Sequence, residues 1–472
     1  MHLTLAQYFY GFEGSVAAKV FMVGFGALAL VAALLIRLTA LQWIMAGMLF
    51  FTSLTAPANQ DQTSYLQTWM LPVQMRRAEG HLALGVLMTL IVVLTGRIHM
   101  PRVPVQSVFL LGIGLYAGFM QFFHEGPIEA MQSIGFALAV IPCMCFAVPA
   151  ACKTYEGCLQ TIRAMMWVSV LWTVCSSIQF IINPRFVVNT QGRFWGMMAN
   201  AQQAAMFNAP MAIIAIWLLL NDHKKRLKPL WVGLATINLL FVGWTASRSG
   251  AVMVVLGAAF VLYRRIGKVV LFLPVAALVF FALSFLSDEL QIQSNIDRLT
   301  SVENTRASVW AAQIENIIES PLVGVGWHET GGSESSWLGG FAGYGVGMFL
   351  LMISLLLYSM WRCAWLWVRR SRLPKEQRPL VELFTAWNAM YFGVATFEGI
   401  LVGRSSTTQV MTLMFAGIGV WVTEQAASRL TLTPDQDEAS DPDAPPLIDG
   451  SVEETYGFDD GADDYPRRGR LA

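Results

Sequence analysis

Charged residues are scarce in this sequence. Asp, Glu, Lys and Arg together make up 13% of the 472 residues, whereas hydrophobic residues make up 55%. Long apolar runs recur from about residue 15 to residue 425. A soluble domain could not bury this much apolar surface, so the composition excludes the soluble classes of protein. We therefore expect an all-α, polytopic integral membrane protein.

Several motifs that carry chemistry in soluble proteins are also missing. We find no glycine-rich nucleotide-binding loop and no basic, aromatic patch for nucleic acid, so we expect neither partner. Cys152 and Cys158 lack the spacing and the partner histidines of a zinc site, so we assign no metal and no cofactor. The N-terminus lacks a cleavable-signal pattern, and we expect the first span to direct membrane insertion.

The apolar runs predict about twelve or thirteen transmembrane helices. A helix needs roughly 20 apolar residues to cross about 30 Å of hydrocarbon. The predicted spans are 15–36, 38–56, 81–97, 104–123, 131–151, 162–182, 203–220, 229–246, 249–264, 268–287, 338–360, 384–402 and 406–424. Together with their connections they form a predicted transmembrane domain over residues 1–425.

Basic residues predict the orientation of these spans. Lys and Arg collect in the loops 223–228, 264–268 and 369–378, and short cytoplasmic loops carry the excess of positive charge. The resulting alternation leaves the orientation of the N-terminus open and places the C-terminus in the cytoplasm. The segments predicted to lie outside are 57–80, 183–202, 247–249, 288–337 and 403–405.

The C-terminal tail, residues 426–472, differs from the rest of the chain. Its residues 435–464 include many Asp and Glu residues, no Lys or Arg, and interspersed Pro and Gly. Such a segment cannot bury enough apolar surface to offset the entropy lost on ordering. We expect an acidic, disordered cytoplasmic tail.

The largest predicted external loop, about 288–337, contains a short amphipathic helix. Trp310, Ile314, Ile317 and Ile318 recur at helical spacing on one face, and Pro321 ends the pattern. We expect this helix to lie at the outer membrane surface.

Arginines are unusually frequent on the predicted outside, against the usual bias. They are Arg76, Arg77, Arg185, Arg193, Arg248, Arg298, Arg306 and Arg404. A guanidinium group matches two phosphate oxygens at once, so a diphosphate carried on a lipid is a natural ligand. The alternative is that each arginine contacts lipid headgroups or pairs with a neighbour such as Glu398 or Glu303.

Four ordered segments resemble the O-antigen ligase and polymerase superfamily, over about residues 185–360. They are Gly192-Arg193-Phe194-Trp195-Gly196; Ala246-Ser247-Arg248-Ser249-Gly250; Arg306 and Trp310 with Pro321-Leu322-Val323-Gly324-Val325-Gly326; and Glu334-Ser335 with Gly345-Val346-Gly347. In the ligases the last segment starts with a histidine, the expected base, whereas Glu334 stands at the matching position here. Polymerases of the superfamily vary more at that site.

The resemblance implies a glycosyltransferase that polymerises polyprenyl-diphosphate-linked oligosaccharide repeat units, in exopolysaccharide or O-antigen synthesis. It would act at the outer face of the cytoplasmic (inner) membrane. Its expected partners are these lipid-linked substrates, membrane lipids and proteins of polysaccharide assembly and export. Glu334 is the candidate base and His328 the second candidate. Arg248, Arg306 and Arg193 are the candidates for holding the lipid diphosphate, without a metal.

Two other functions fit the sequence. A ligase would use the same donor and pass the finished polymer to a lipid core or a protein. A transporter of polysaccharide or lipid-linked glycan would also be polytopic, but transporters place ionisable residues near the middle of broken helices. Here Glu398 is the one carboxylate well inside an apolar run, and the remaining charge lies at the outer ends of the spans.

Overall fold

The computed structural model describes residues 39–54, 77–94, 103–188, 192–263, 306–330, 334–402 and 406–428. Within these ranges the chain forms twelve α-helices and no β-strand, and a single isolated bridge joins Val188 to Phe194. The expected all-α class is confirmed.

The helices of the described residues differ in their suitability for crossing a membrane. They are α1 (Ala40–Ser53), α2 (Arg77–Leu94), α3 (Val105–His124), α4 (Pro127–Ala151), α5 (Tyr155–Ile182), α6 (Ala201–Asn221), α7 (Lys228–Thr245), α8 (Arg248–Leu262), α9 (Ala307–Glu319), α10 (Ser336–Arg369), α11 (Arg378–Ala395) and α12 (Thr407–Ser428). Seven of the described helices are long and apolar enough to span a bilayer, namely α3 to α7, α10 and α12. The protein is therefore a polytopic membrane protein.

The predicted spans that fall on described residues coincide with helices. The spans 15–36 and 268–287 lie outside the described residues, as do residues 288–305 of the large loop and the tail from residue 429. Arg76, Arg298, Glu303 and Arg404 lie outside them as well. The amphipathic helix predicted in the large loop is α9.

One predicted span, 384–402, ends earlier than expected. Helix α11 stops at Ala395, so Glu398 lies in a non-helical connection rather than inside a helix. The Ser336 hydroxyl stabilises this non-helical connection. It donates to the backbone carbonyl of Glu398 at 2.6 Å and accepts from the N–H groups of Ile400 and Leu401. These bonds satisfy backbone groups that have left the helical pattern.

Close packing of α8 fixes the part of the fold that matters for the site. A Cβ atom at Gly257 would lie 2.7 Å from both Ile213 of α6 and Met390 of α11, so only glycine allows these helices to approach as they do. Small residues commonly permit such contacts between helices in membranes. The start of α8 and the end of α11 are consequently held close to one another.

Hydrogen bonds between distant segments gather at the two ends of the helix bundle. At one end, Arg193 binds the backbone of Thr245, and Trp327 binds Glu125. At the other end, Arg163 binds Asp222, and the ring N–H of Trp421 donates to the carbonyl of Lys153.

Candidate functional site

One arginine of the large loop holds two carboxylates. The Nε atom of Arg306 lies 2.9 Å from Oε2 of Glu334, and its Nη2 atom lies 2.7 Å from Oε1 of Glu398. Arg306 immediately precedes α9, Glu334 precedes α10, and Glu398 follows α11. Three elements that are distant in sequence therefore meet at this contact. We call Arg306, Glu334 and Glu398 the charged triad.

The charged triad is joined to the turn between α7 and α8. The Ser249 hydroxyl donates to Oε1 of Glu398 at 3.0 Å and shares a hydrogen bond of 2.8 Å with Ser247. Ser247 caps the N-terminus of α8, and the half-buried Arg248 lies between the two serines. The turn that carries Arg248 is thus one hydrogen bond away from the carboxylate that holds Arg306.

This turn has a strained backbone. Ala246 adopts left-handed dihedrals (φ 49°, ψ 37°), and it is the one non-glycine residue with positive φ in the described part of the chain. Such a conformation costs an L-residue on the order of 1–3 kcal/mol, and strain of this kind concentrates at functional sites. It allows α7 to turn into α8 over two residues and sets Arg248 at the first position of α8.

The third predicted arginine, Arg193, packs against the same turn. Its Nε atom donates to the Thr245 carbonyl at 2.8 Å, and the N–H of Phe194 donates to the Trp244 carbonyl at 3.2 Å. Phe194 also stacks on Trp244, with ring centroids 5.0 Å apart. The segment around Arg193 is therefore laid along the end of α7, and Arg193 itself is buried.

Glu398 is the buried member of the charged triad. Its side chain is 11% exposed, against 17% for Arg306 and 38% for Glu334. Burial raises the pKa of the Glu398 carboxyl above its ordinary value, and the Arg306 guanidinium and the Ser249 hydroxyl oppose this rise. Glu398 was not among the site residues chosen from the sequence. The signal was present, because a lone carboxylate in an apolar run of a membrane protein points to function.

Glu334 lies next to a broken helix. Gly345 (φ 76°, ψ −170°) interrupts α10. The N–H groups of Val325 and Gly326 donate to the carbonyls of Ala342 and Gly343, and the N–H of Val346 donates to the Pro321 carbonyl. The large loop thus satisfies the backbone groups that the break releases. It also fixes the start of α10, which follows Glu334, against the segment that follows α9.

The second candidate base, His328, has a different environment. Its Nε2 atom lies 3.6 Å from Oε2 of Glu125, and its side chain is 69% exposed. Glu125, in the turn between α3 and α4, accepts the Trp327 N–H at 2.9 Å through its other oxygen. His328 is therefore joined to that turn, whereas Glu334 contacts a guanidinium group that is a candidate for phosphate binding.

Aromatic side chains flank the charged triad. Trp310 of α9 stacks on Phe397, the neighbour of Glu398, with ring centroids 6.5 Å apart and planes at 29°. Trp337, near the start of α10, stacks on Phe392 of α11 at the same separation. Aromatic rings beside polar groups are also what a site for sugar rings requires.

The groups that this site offers to a ligand are guanidinium groups, carboxylates and aromatic rings. Across the described ranges no three His, Cys, Asp or Glu side chains come close enough to share a metal ion.

No protein-family model matches the chain, and no curated protein sequence matches it.

Proposed function

We propose that this protein is a membrane glycosyltransferase that polymerises polyprenyl-diphosphate-linked oligosaccharide repeat units at the outer face of the cytoplasmic membrane, in exopolysaccharide or O-antigen synthesis. The observation that carries the proposal is the contact of Arg306 with Glu334 and Glu398 beside the Arg248 turn. Residues singled out in separate segments of the sequence converge there, as the residues of one active site must.

The arginines fit the donor of this reaction. Guanidinium groups bind phosphate oxygens in pairs and stabilise negative charge that develops on a diphosphate leaving group. Arg193 contacts the last residue of α7, Arg248 is the first residue of α8, and Arg306 immediately precedes α9. A diphosphate at such helix ends leaves its polyprenyl chain in the bilayer and its sugars in water.

The carboxylate of Glu334 supplies the base. It takes the proton of the acceptor hydroxyl as that oxygen attacks the anomeric carbon of the donor sugar. The new glycosidic C–O bond forms while the anomeric C–O bond to the diphosphate breaks, and its electron pair leaves with the polyprenyl diphosphate. Glu398 does not touch the reacting atoms and acts through Arg306, so we regard it as a positioning residue.

The distribution of basic loops supports an external site. Lys and Arg of the loops 223–228 and 369–378 favour the cytoplasm for the opposite ends of α6, α7, α10 and α11. The charged triad then lies at the outer face of the membrane.

A ligase is the nearest alternative, because it would use the same donor and the same arginines. The two functions differ in the acceptor, which is a second lipid-linked chain for a polymerase and a lipid core or protein for a ligase. Glu334 at the position of the ligase histidine favours the polymerase.

The break in α10 favours a second alternative, a transporter, because transporters bind substrates at discontinuous helices. Two features oppose it. The backbone of residues 321–326 already bonds the groups that the break releases. The charged triad, moreover, lies at helix ends rather than in the middle of the bundle.

Polymer length tests the proposal. A host that lacks this protein is complemented with wild type, Glu334→Gln, Arg248→Ala, or the matched control Glu329→Gln, an exposed carboxylate of the same loop. We expect a single lipid-linked repeat unit to accumulate in the deletion, Glu334→Gln and Arg248→Ala strains, and long polymer with wild type and Glu329→Gln. Accumulation of long lipid-linked polymer in the deletion strain identifies a ligase, and normal glycan pools in that strain contradict both functions.

A further inference from the structure

The guanidinium group that should bind the donor is already occupied. Arg306 directs Nε to Glu334 and Nη2 to Glu398, so a single positive charge faces two carboxylates in the charged triad. A diphosphate needs the same planar N–H groups, because its oxygens match the guanidinium fork as carboxylate oxygens do. The donor diphosphate and at least one carboxylate therefore compete for Arg306.

The two carboxylates differ in how firmly they are held. Glu398 is mostly buried and accepts the Ser249 hydroxyl, and Ser336 binds its backbone carbonyl. Glu334 is the most exposed member of the charged triad and lies in non-helical chain before the N-cap Ser335. Displacing an exposed ion-pair partner costs little, whereas displacing a buried one leaves an uncompensated charge. Glu334 is therefore the carboxylate that a diphosphate displaces more easily from Arg306.

We propose that Arg306 is a latch on Glu334 that the donor diphosphate opens. The diphosphate takes the Nε edge of the guanidinium that Glu334 holds, while Glu398 keeps Nη2 and holds Arg306 in place. The released Glu334 then accepts the proton of the acceptor hydroxyl. The latch rests on the proposed function and deepens it, because it makes the base available only when the donor is bound.

The latch gives the two carboxylates opposite effects on donor binding. Glu334 competes with the diphosphate, so its removal strengthens binding. Glu398 orients the guanidinium, so its removal weakens binding, although a negative charge is lost in both cases. A purely electrostatic effect of the carboxylates would change binding in the same direction for both. The sign of the change therefore distinguishes the latch from simple charge repulsion.

Equilibrium binding to the full-length protein in detergent tests this inference. The probe is farnesyl diphosphate, a short polyprenyl diphosphate, with farnesyl monophosphate as the comparison ligand. We expect Glu334→Gln to bind the diphosphate roughly two- to fivefold more tightly than wild type, the range of a partly exposed ion pair, while losing polymer extension. Glu398→Gln should bind it more weakly than wild type, and Glu329→Gln should bind it as wild type does.

The possible failures are distinguishable. If wild type binds the diphosphate and extends polymer, but Glu334→Gln binds no more tightly or both Gln variants bind more tightly, the latch is wrong and the proposed function stands. If wild type binds farnesyl diphosphate no better than the monophosphate and extends no polymer, the proposed function fails and the latch with it. Size-exclusion profiles that match wild type show that each variant is folded.

Discussion

Both ends of the helix bundle hold an arginine between two carboxylates, and the two clusters differ in how open they are. At one end Arg163 binds both oxygens of Asp222, at 2.9 and 3.2 Å, and Glu156 at 2.8 Å. At the other end Arg306 binds Glu334 and Glu398. The side chains of Arg163 and Asp222 are 3% and 0% exposed, whereas those of Arg306 and Glu334 are 17% and 38% exposed.

The Asp222 carboxylate has no hydrogen-bonding capacity left for a ligand. Besides Arg163 it accepts the N–H of Lys224 and the ring N–H of Trp231, so each of its oxygens has two donors. Within the described residues, by contrast, both side-chain bonds to Glu398 fall on Oε1. Similar side chains thus form a closed cluster around Asp222 at one end and a more open one around Arg306 at the other.

The largest expected effect is on stability and falls on the closed cluster. Arg163→Ala leaves Asp222 buried without its cation, which should destabilise the fold by about 3–5 kcal/mol. Arg306→Ala should cost less, because Glu334 is partly exposed and Glu398 keeps its bond from the Ser249 hydroxyl, but should abolish polymer extension. Thermal unfolding in detergent and polymer length measure the two effects, with the exposed Arg226→Ala as control. Equal losses of stability at the two arginines would contradict the distinction between the clusters.

A second expected effect concerns the frame that holds Glu334. Gly345→Ala places a Cβ atom against the Leu322 carbonyl at a positive φ, so it should cost about 1–3 kcal/mol. The loop 321–326 and the start of α10 should separate, and polymer extension should fall with stability. Limited proteolysis of the large loop measures the separation, and the control is Gly135→Ala, whose Cβ meets open space. Unchanged proteolysis and activity would show that the loop does not brace α10.

Much of this architecture could be predicted from the sequence. Apolar runs predict the spans because a bilayer imposes a length on helices, and the family resemblance of the sequence motifs implies Arg193, Arg248, Arg306 and Glu334 as candidates. The sequence indicates Glu398 as a possible partner of an arginine but not which arginine it binds, since that depends on where α11 ends and on Ser336, a residue distant in sequence. The hydrogen bonds between residues 321–326 and the break in α10 could not be predicted either, because they join segments distant in sequence. Both segments do carry a Gly-Val-Gly sequence.

A smaller effect on stability is expected at the turn that carries Arg248. Ala246→Gly removes the penalty of a left-handed alanine, so it should stabilise the fold by up to about 1 kcal/mol. If the strain serves the placement of Arg248, polymer extension should nevertheless fall slightly. Thermal unfolding and the extension rate of the same variant show whether stability rises while extension falls. Lower stability with unchanged extension would contradict it.

The smallest expected effect is on pH dependence. Burial raises the pKa of Glu398, so on acidification this carboxyl is protonated at higher pH than a fully solvated glutamate and loses its ion pair with Arg306. In the Glu334→Gln background, which removes the competing carboxylate, farnesyl diphosphate binding should therefore weaken as pH falls. Adding Glu398→Gln should make this dependence less steep, leaving the part that comes from protonation of the diphosphate itself. An equally steep pH profile in the double variant would assign the titration to another group.

The most direct test of the open, charged triad as the active site uses purified full-length protein in lipid nanodiscs with a lipid-linked repeat unit. Wild type and Arg226→Lys, at an exposed arginine, are compared with Glu334→Gln and Arg306→Lys. We predict that wild type and Arg226→Lys extend the glycan and release polyprenyl diphosphate. We predict that Glu334→Gln and Arg306→Lys, although folded, extend it at least tenfold more slowly. Extension at the wild-type rate by Glu334→Gln, or no extension by wild type, would contradict the account.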